Sequence, residues 1–209
     1  MKKAVSILLA LILCAVSCCA FADTLEVQAG APLNSTFDTF KTTYDLYGSS
    51  NLPLSWESGS TTEGEFEVYT GKANNGEIEV KVYTTGGKVS HLIATGSKTV
   101  SMTNMSDAQA LGQDIGTVLG IAIMAVYTVD GGTLDTSLIN QFTEDLQAVL
   151  TPLTDGLTNA DKLENGVAAS SLVIGYPTGL EISATGASTA ATISWKVIIT
   201  SKDSKLSVK

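Results

Sequence analysis

Glu65, Glu67, Glu77 and Glu79 form the one dense group of carboxylates in the chain, with Tyr69, Lys81 and Tyr83 interleaved among them. Two carboxylates at a suitable distance suffice to hydrolyse a glycosidic bond. A general acid also needs a raised pKa, which burial or a like charge in a cleft supplies. Residues 65–71 and 77–83 alternate apolar with polar side chains, the pattern of half-buried strands. That alternation sets the glutamates opposite Phe66, Val68, Ile78, Val80 and Val82, with Tyr69, Lys81 and Tyr83 beside them. A flat, solvated face is poorly suited to acid catalysis. It suits contact, because tyrosines supply area and charges set orientation. Glu65, Glu67, Tyr69, Glu77, Glu79, Lys81 and Tyr83 are therefore the expected binding surface for a protein or a cationic ligand.

Other chemistries lack their residues. His91 is the single histidine, it lies in the strand-like Val89-Ser90-His91-Leu92-Ile93, and no Gly-x-Ser-x-Gly elbow accompanies it. It reads as a structural or surface residue. One imidazole and no cysteine after residue 19 cannot make a zinc tetrad. The acidic loops 130–135 and 161–166 lack the alternating ligands of an EF-hand and read as solvated turns and caps. No phosphate-cradling glycine loop occurs, so no cofactor is expected.

The first 22 residues, MKKAVSILLALILCAVSCCAFA, run from two lysines through an apolar core to small residues. That order is the layout of a secretory signal peptide, cut before Asp23. Cys14, Cys18 and Cys19 would leave with it, so the exported chain would be held by its core rather than by disulfides. Secretion, or release into the periplasm or cell envelope, is the expected location. Ala15-Val16-Ser17-Cys18 loosely resembles a bacterial lipobox, which keeps a lipoprotein anchored through Cys18 as the alternative. There is no arginine, and loss of Lys2 and Lys3 takes the net charge from −9 to −11. Such a chain is a poor partner for nucleic acid, whose phosphates call for clustered Lys and Arg.

The elements that must position these groups follow from periodicity. A short strand is expected at 24–28. Phe37, Phe40, Tyr44 and Tyr47 recur at helical spacing after the capping residues Asn34-Ser35-Thr36, and Gly48 closes that helix. Residues 48–64 read as a loop, followed by strands at 65–71, 77–83 and 88–94, the first two joined by Asn74-Asn75-Gly76. A helix at 107–127 opens with a Ser106/Gln109 capping box. A further helix begins at Asp135 or Thr136, sets Leu138, Ile139, Phe142, Leu146, Val149 and Leu150 on one face, and stops at Pro152. Strands at 166–175, 179–184 and 189–200 precede a polar tail expected to fray.

The order repeats. The expected fold is α+β, with two similar halves, each a helix packed on an antiparallel three-stranded meander, and a central buried Gly-rich apolar helix. The signal peptide is placed at 1–22, the first half with the central helix at 23–130, the second half at 131–201, and the polar tail at 202–209. In the central helix Gly112, Gly116 and Gly120 are spaced four apart. Its apolar run, 115–129, falls short of the about 20 residues a membrane span needs. The glycines are expected to admit a close neighbour, and Gly116→Leu to overpack the core.

The function expected is that of a secreted, non-enzymatic binding or inhibitor-like module. The alternative is an exported carrier of a lipid or other apolar ligand, with the aromatic stripe lining a helix-on-sheet pocket. A carboxylate-only hydrolase ranks third.

Overall fold

Two tight turns start the fold. Asn74, Asn75 and Gly76 all take positive φ (50°, 57° and 92°), which asparagine and glycine tolerate, and they join strand β4 (Phe66–Ala73) to strand β5 (Ile78–Thr85). Gly86 and Gly87, at φ 56° and 75°, join β5 to strand β6 (Lys88–Ser101). A two-residue hairpin loop with both residues at positive φ matches the twist of its strands.

The computed structural model describes residues 25–48, 50, 52–101, 106, 110, 113–118, 120–121, 125–126, 167–174, 176–187, 190–201 and 203–208. The expected leader with Cys18, the helix after Asp135, Gly112 and the two acidic loops lie outside them.

The remaining elements are β1 (Leu25–Gln28), α1 (Phe37–Gly48), β2 (Ser55–Trp56), β3 (Thr61–Glu63), β7 (Val167–Ile174), β8 (Tyr176–Ala187), β9 (Ala190–Thr200) and β10 (Lys205–Val208). One antiparallel sheet has the strand order β2-β4-β5-β6-β9-β8-β7, with β3 also pairing β4, and β1 pairs β10 separately.

This arrangement overturns the α+β fold of two helix-on-meander halves. The described residues are mostly β, and β6 pairs the whole of β9, from His91↔Thr200 to Ser101↔Ala190. Strands from both expected halves, 23–130 and 131–201, thus share one sheet. The physical reason lies at the strand edges. Each meander ends in a row of backbone N–H and C=O groups, and joining the two edges satisfies both rows. The expected loop at 48–64 contributes β2 and β3. The expected fraying tail contributes β10, whose residues pair β1 in the register Leu25↔Val208 to Gln28↔Lys205.

One face of the sheet is covered. Ile78, Val80, Val82, Leu92, Ala94, Leu180, Trp195, Val197 and Ile199 are all buried there. Helix α1 forms where the aromatic spacing places it, and Phe40 and Tyr44 are fully buried. Each such side chain contributes on the order of 1.5–3 kcal/mol by leaving water. Phe37 stacks on Tyr69 with ring centroids 3.9 Å apart and meets Trp56 edge-on at 5.0 Å. Phe37 and Tyr44 of the aromatic stripe are thus engaged with the sheet's own aromatics, whereas Tyr47 is exposed.

Residues 113–118, 120–121 and 125–126 are helical, and Ile115, Val118, Ile121, Ala125 and Val126 are buried. Gly116 and Gly120 are exposed, with no described atom within 4 Å of a β-carbon built on either. The expectation that these two glycines admit a close neighbour is therefore overturned. At 3.6 residues per turn they fall on the side away from Ile115 and Val118. Among the described residues no helix is long and apolar enough to cross a membrane.

Candidate functional site: a polar groove on the open face

Hairpin register decides which side chains meet. Tyr69 pairs Val82, Gly71 pairs Val80 and Ala73 pairs Ile78 on one face, whereas Val68 pairs Tyr83, Thr70 pairs Lys81 and Lys72 pairs Glu79 on the other. Odd positions of β4 thus share a face with even positions of β5. The expected grouping needed the opposite parity, and a register offset of one residue turns every side chain over.

The seven expected site residues are accordingly dispersed. Glu65 is exposed in the turn between β3 and β4. Glu67 is exposed on β4, opposite Thr62 and Thr84. Tyr69 is half-buried beneath Phe37 on the covered side. Tyr83 is buried, donates its hydroxyl to Glu63 Oε2 at 2.9 Å and stacks on His91 at 4.3 Å. Lys81 Nζ donates to Glu63 Oε1 at 2.6 Å. These bonds, Lys81's first, hold the Glu63 carboxyl below the usual carboxylate range. Only Glu77 and Glu79 reach the groove described next.

The β6–β9 and β8–β9 registers extend the open face. Glu79 of β5 lies opposite Thr95 of β6, Thr95 opposite Lys196 of β9, and Lys196 opposite Glu181 of β8. One polar row therefore crosses four strands. A second row sets Ser97 opposite Ser194, with hydroxyl oxygens 3.1 Å apart, and Thr99 opposite Thr192 repeats the pairing at 3.0 Å.

These rows floor an open groove of about 500 Å³ lined by Glu77, Glu79, Thr95, Ser97, Glu181, Ser194 and Lys196, with Gly76, Gly96 and Trp195 completing it. Three carboxylates and one ammonium leave the lining negative. The ammonium is engaged already, since Lys196 Nζ lies 3.1 Å from Glu181 Oε2. The groove is therefore rich in acceptors, and its only cation among the described residues is already paired.

Lys72 Nζ stands at the groove's flank, 2.6 Å from Glu57 and 4.0 Å from Glu79, and Glu57 raises its pKa. Beyond Glu77, Asp114 of the helical segment faces Lys98 at 3.9 Å, and burial raises its pKa more than Lys98 lowers it.

Acid–base catalysis across the groove, between Glu79 and Glu181, fits this geometry poorly. Glu79 and Glu181 stand three strand spacings apart, roughly 14 Å between backbones at about 4.8 Å per strand. Glycosidase carboxylates stand about 5–9.5 Å apart. His91 is 4 % exposed and bonded through Nδ1 to Ser90 Oγ at 3.1 Å. Burial lowers its pKa to about 4. Ser90 is the extra residue of the bulge between Tyr83↔His91 and Thr84↔Val89, and it too is fully buried, so the pair has no route to a substrate.

Sequence reasoning missed Thr95, Ser97, Glu181, Ser194 and Lys196. One signal was present: Lys196 stands between Trp195 and Val197, a lone cation within an apolar strand. Its partner strand was not legible.

Fold and groove together define a class: a mostly antiparallel β protein with one buried apolar face and, on the opposite face, a groove rich in acceptors. No family model, curated protein or solved structure matches the chain.

Proposed function

We propose that this chain is an exported, non-enzymatic binding module whose binding surface is the groove on the open face of the sheet. The ligand carries positive charge on amino or guanidinium groups. The observation that carries the reading is the polar row Glu79–Thr95–Lys196–Glu181 with Glu77 beside it, three carboxylates around one engaged lysine. Ammonium groups donate without accepting and so complement such a lining. A net charge of −9 supports the same partner by steering cations toward the chain.

The carrier reading loses support, because Phe37 and Tyr44, two of the residues assigned to a pocket wall, pack on Trp56 and Tyr69.

Calorimetric titration with spermidine tests the proposal, with an uncharged polyether of similar length as control. Spermidine is expected to bind and to weaken as salt is raised. The double substitution Glu77→Gln and Glu79→Gln is expected to weaken it about tenfold or more, whereas Glu65→Gln with Glu67→Gln leaves it unchanged. Equal binding by all three forms, or none by the wild type, rejects the groove.

A further inference from the structure

We infer that Glu181 couples the two ends of the described chain to the groove, so that a cation bound there loosens the strap made by β1 and β10. The inference rests on the groove being the binding surface and adds how that surface is regulated.

Strap and groove meet at one carboxylate. The Leu25 N–H donates to Glu181 Oε2 at 2.9 Å, and the same oxygen faces Lys196 Nζ at 3.1 Å. The Glu181 side chain is only 17 % exposed, so each of these partners matters to it.

Packing holds the strap on the same face. Gly179 is two residues from Glu181 along β8, and Leu25 and Leu206 close over it: their Cδ1 atoms lie 2.9 and 3.1 Å from where its β-carbon would be. Two further bonds fix the ends, from Gly30 N–H to Ser204 Oγ at 2.9 Å and between Ser204 Oγ and Ser201 Oγ at 2.9 Å.

An ammonium entering the groove competes for Glu181. Both bonds to the carboxylate are charge-assisted, but the ammonium brings a full positive charge and the Leu25 amide only a dipole, so the ammonium displaces the amide rather than the reverse. Linkage makes the coupling mutual: a strap held shut weakens cation binding by the factor with which the cation opens it.

Amide hydrogen exchange at residues 25–28, followed with and without spermidine, tests this. In the wild type, saturating spermidine is expected to speed Leu25 exchange about tenfold while Val197, in the centre of the sheet, is unchanged. Without ligand, Glu181→Ala is expected to speed Leu25 exchange by a similar factor. Glu181→Gln keeps an acceptor oxygen, so it is expected to retain Leu25 protection and to lose spermidine affinity. Binding of spermidine with unchanged Leu25 exchange overturns the coupling and leaves the groove reading intact. No binding overturns both. Should Glu181→Ala not fold, the wild-type titration decides alone.

Discussion

Trp195 and Gly96 are direct cross-strand partners, and the indole of Trp195 fills the space that a β-carbon on Gly96 would need. Trp56 and Gly71 repeat the arrangement, with Trp56 Cε3 2.9 Å from the β-carbon position of Gly71. Neither glycine is among those at positive φ, so each is required for space and not for backbone conformation. A strand glycine costs about 0.5–1 kcal/mol, and an aromatic laid across it offsets that loss.

Gly96→Ala is therefore expected to destabilise the fold by about 1–3 kcal/mol, because the indole must move. Thermal unfolding followed by the near-ultraviolet tryptophan signal measures both the loss and the displacement. A melting temperature equal to the wild type's would show that Trp195 has room to spare.

Gly116→Ala has the opposite sign. The site is helical, exposed and open among the described residues, so a methyl group meets nothing and the helix gains about 0.5–1 kcal/mol. Urea denaturation of the two variants side by side checks the contrast. Loss of stability in Gly116→Ala would restore the close-packing role that the glycine spacing suggests.

His91 makes stability depend on pH. Its folded pKa is about 4, against about 6.5 when unfolded. Between those values the unfolded chain holds a proton that the folded chain does not. Stability is thus full above about pH 6.5 and falls as pH drops toward 4, by on the order of 3 kcal/mol. As the sole histidine, it gives one imidazole resonance to titrate. A midpoint near 6.5 in the folded protein would contradict the prediction, and His91→Phe is expected to flatten the slope in this window.

Tyr44→Phe is expected to keep or raise stability. The Tyr44 hydroxyl and Trp56 Nε1 are buried with no hydrogen-bond partner among the described residues, and burial raises the tyrosine pKa. Removing the hydroxyl takes away a desolvation cost of about 1–3 kcal/mol and leaves the ring against Phe40 and Trp56. A loss of more than about 1 kcal/mol in denaturant would show the hydroxyl to be engaged.

Local chemistry was legible in the sequence. The Asn74-Asn75-Gly76 and Gly86-Gly87 turns, the alternation of β5 and β9, and the aromatic face of α1 each follow from a few neighbouring residues. Their conformations are decided by φ preferences and burial within one turn or strand. Of the site, Glu77 and Glu79 were legible as polar strand residues, and Tyr69 and Tyr83 were not recognisable as packing groups.

Adjacency and parity belonged to the tertiary structure. Alternation with a period of two says which residues of a strand share a side. It does not say which side of the next strand they join, and that choice placed Tyr69 beside Val82 and Glu79 beside Lys72. Nor does it say that β6 meets β9 across a long stretch of chain, which is what sets Thr95 beside Lys196 and brings Glu181 within reach. The sequence by itself determined the turns, the first helix, the residue types available to the site and the shortage of catalytic groups. Only the closing of two distant strand edges, driven by their unsatisfied backbone groups and the apolar face behind them, decided that a groove exists and which charges line it.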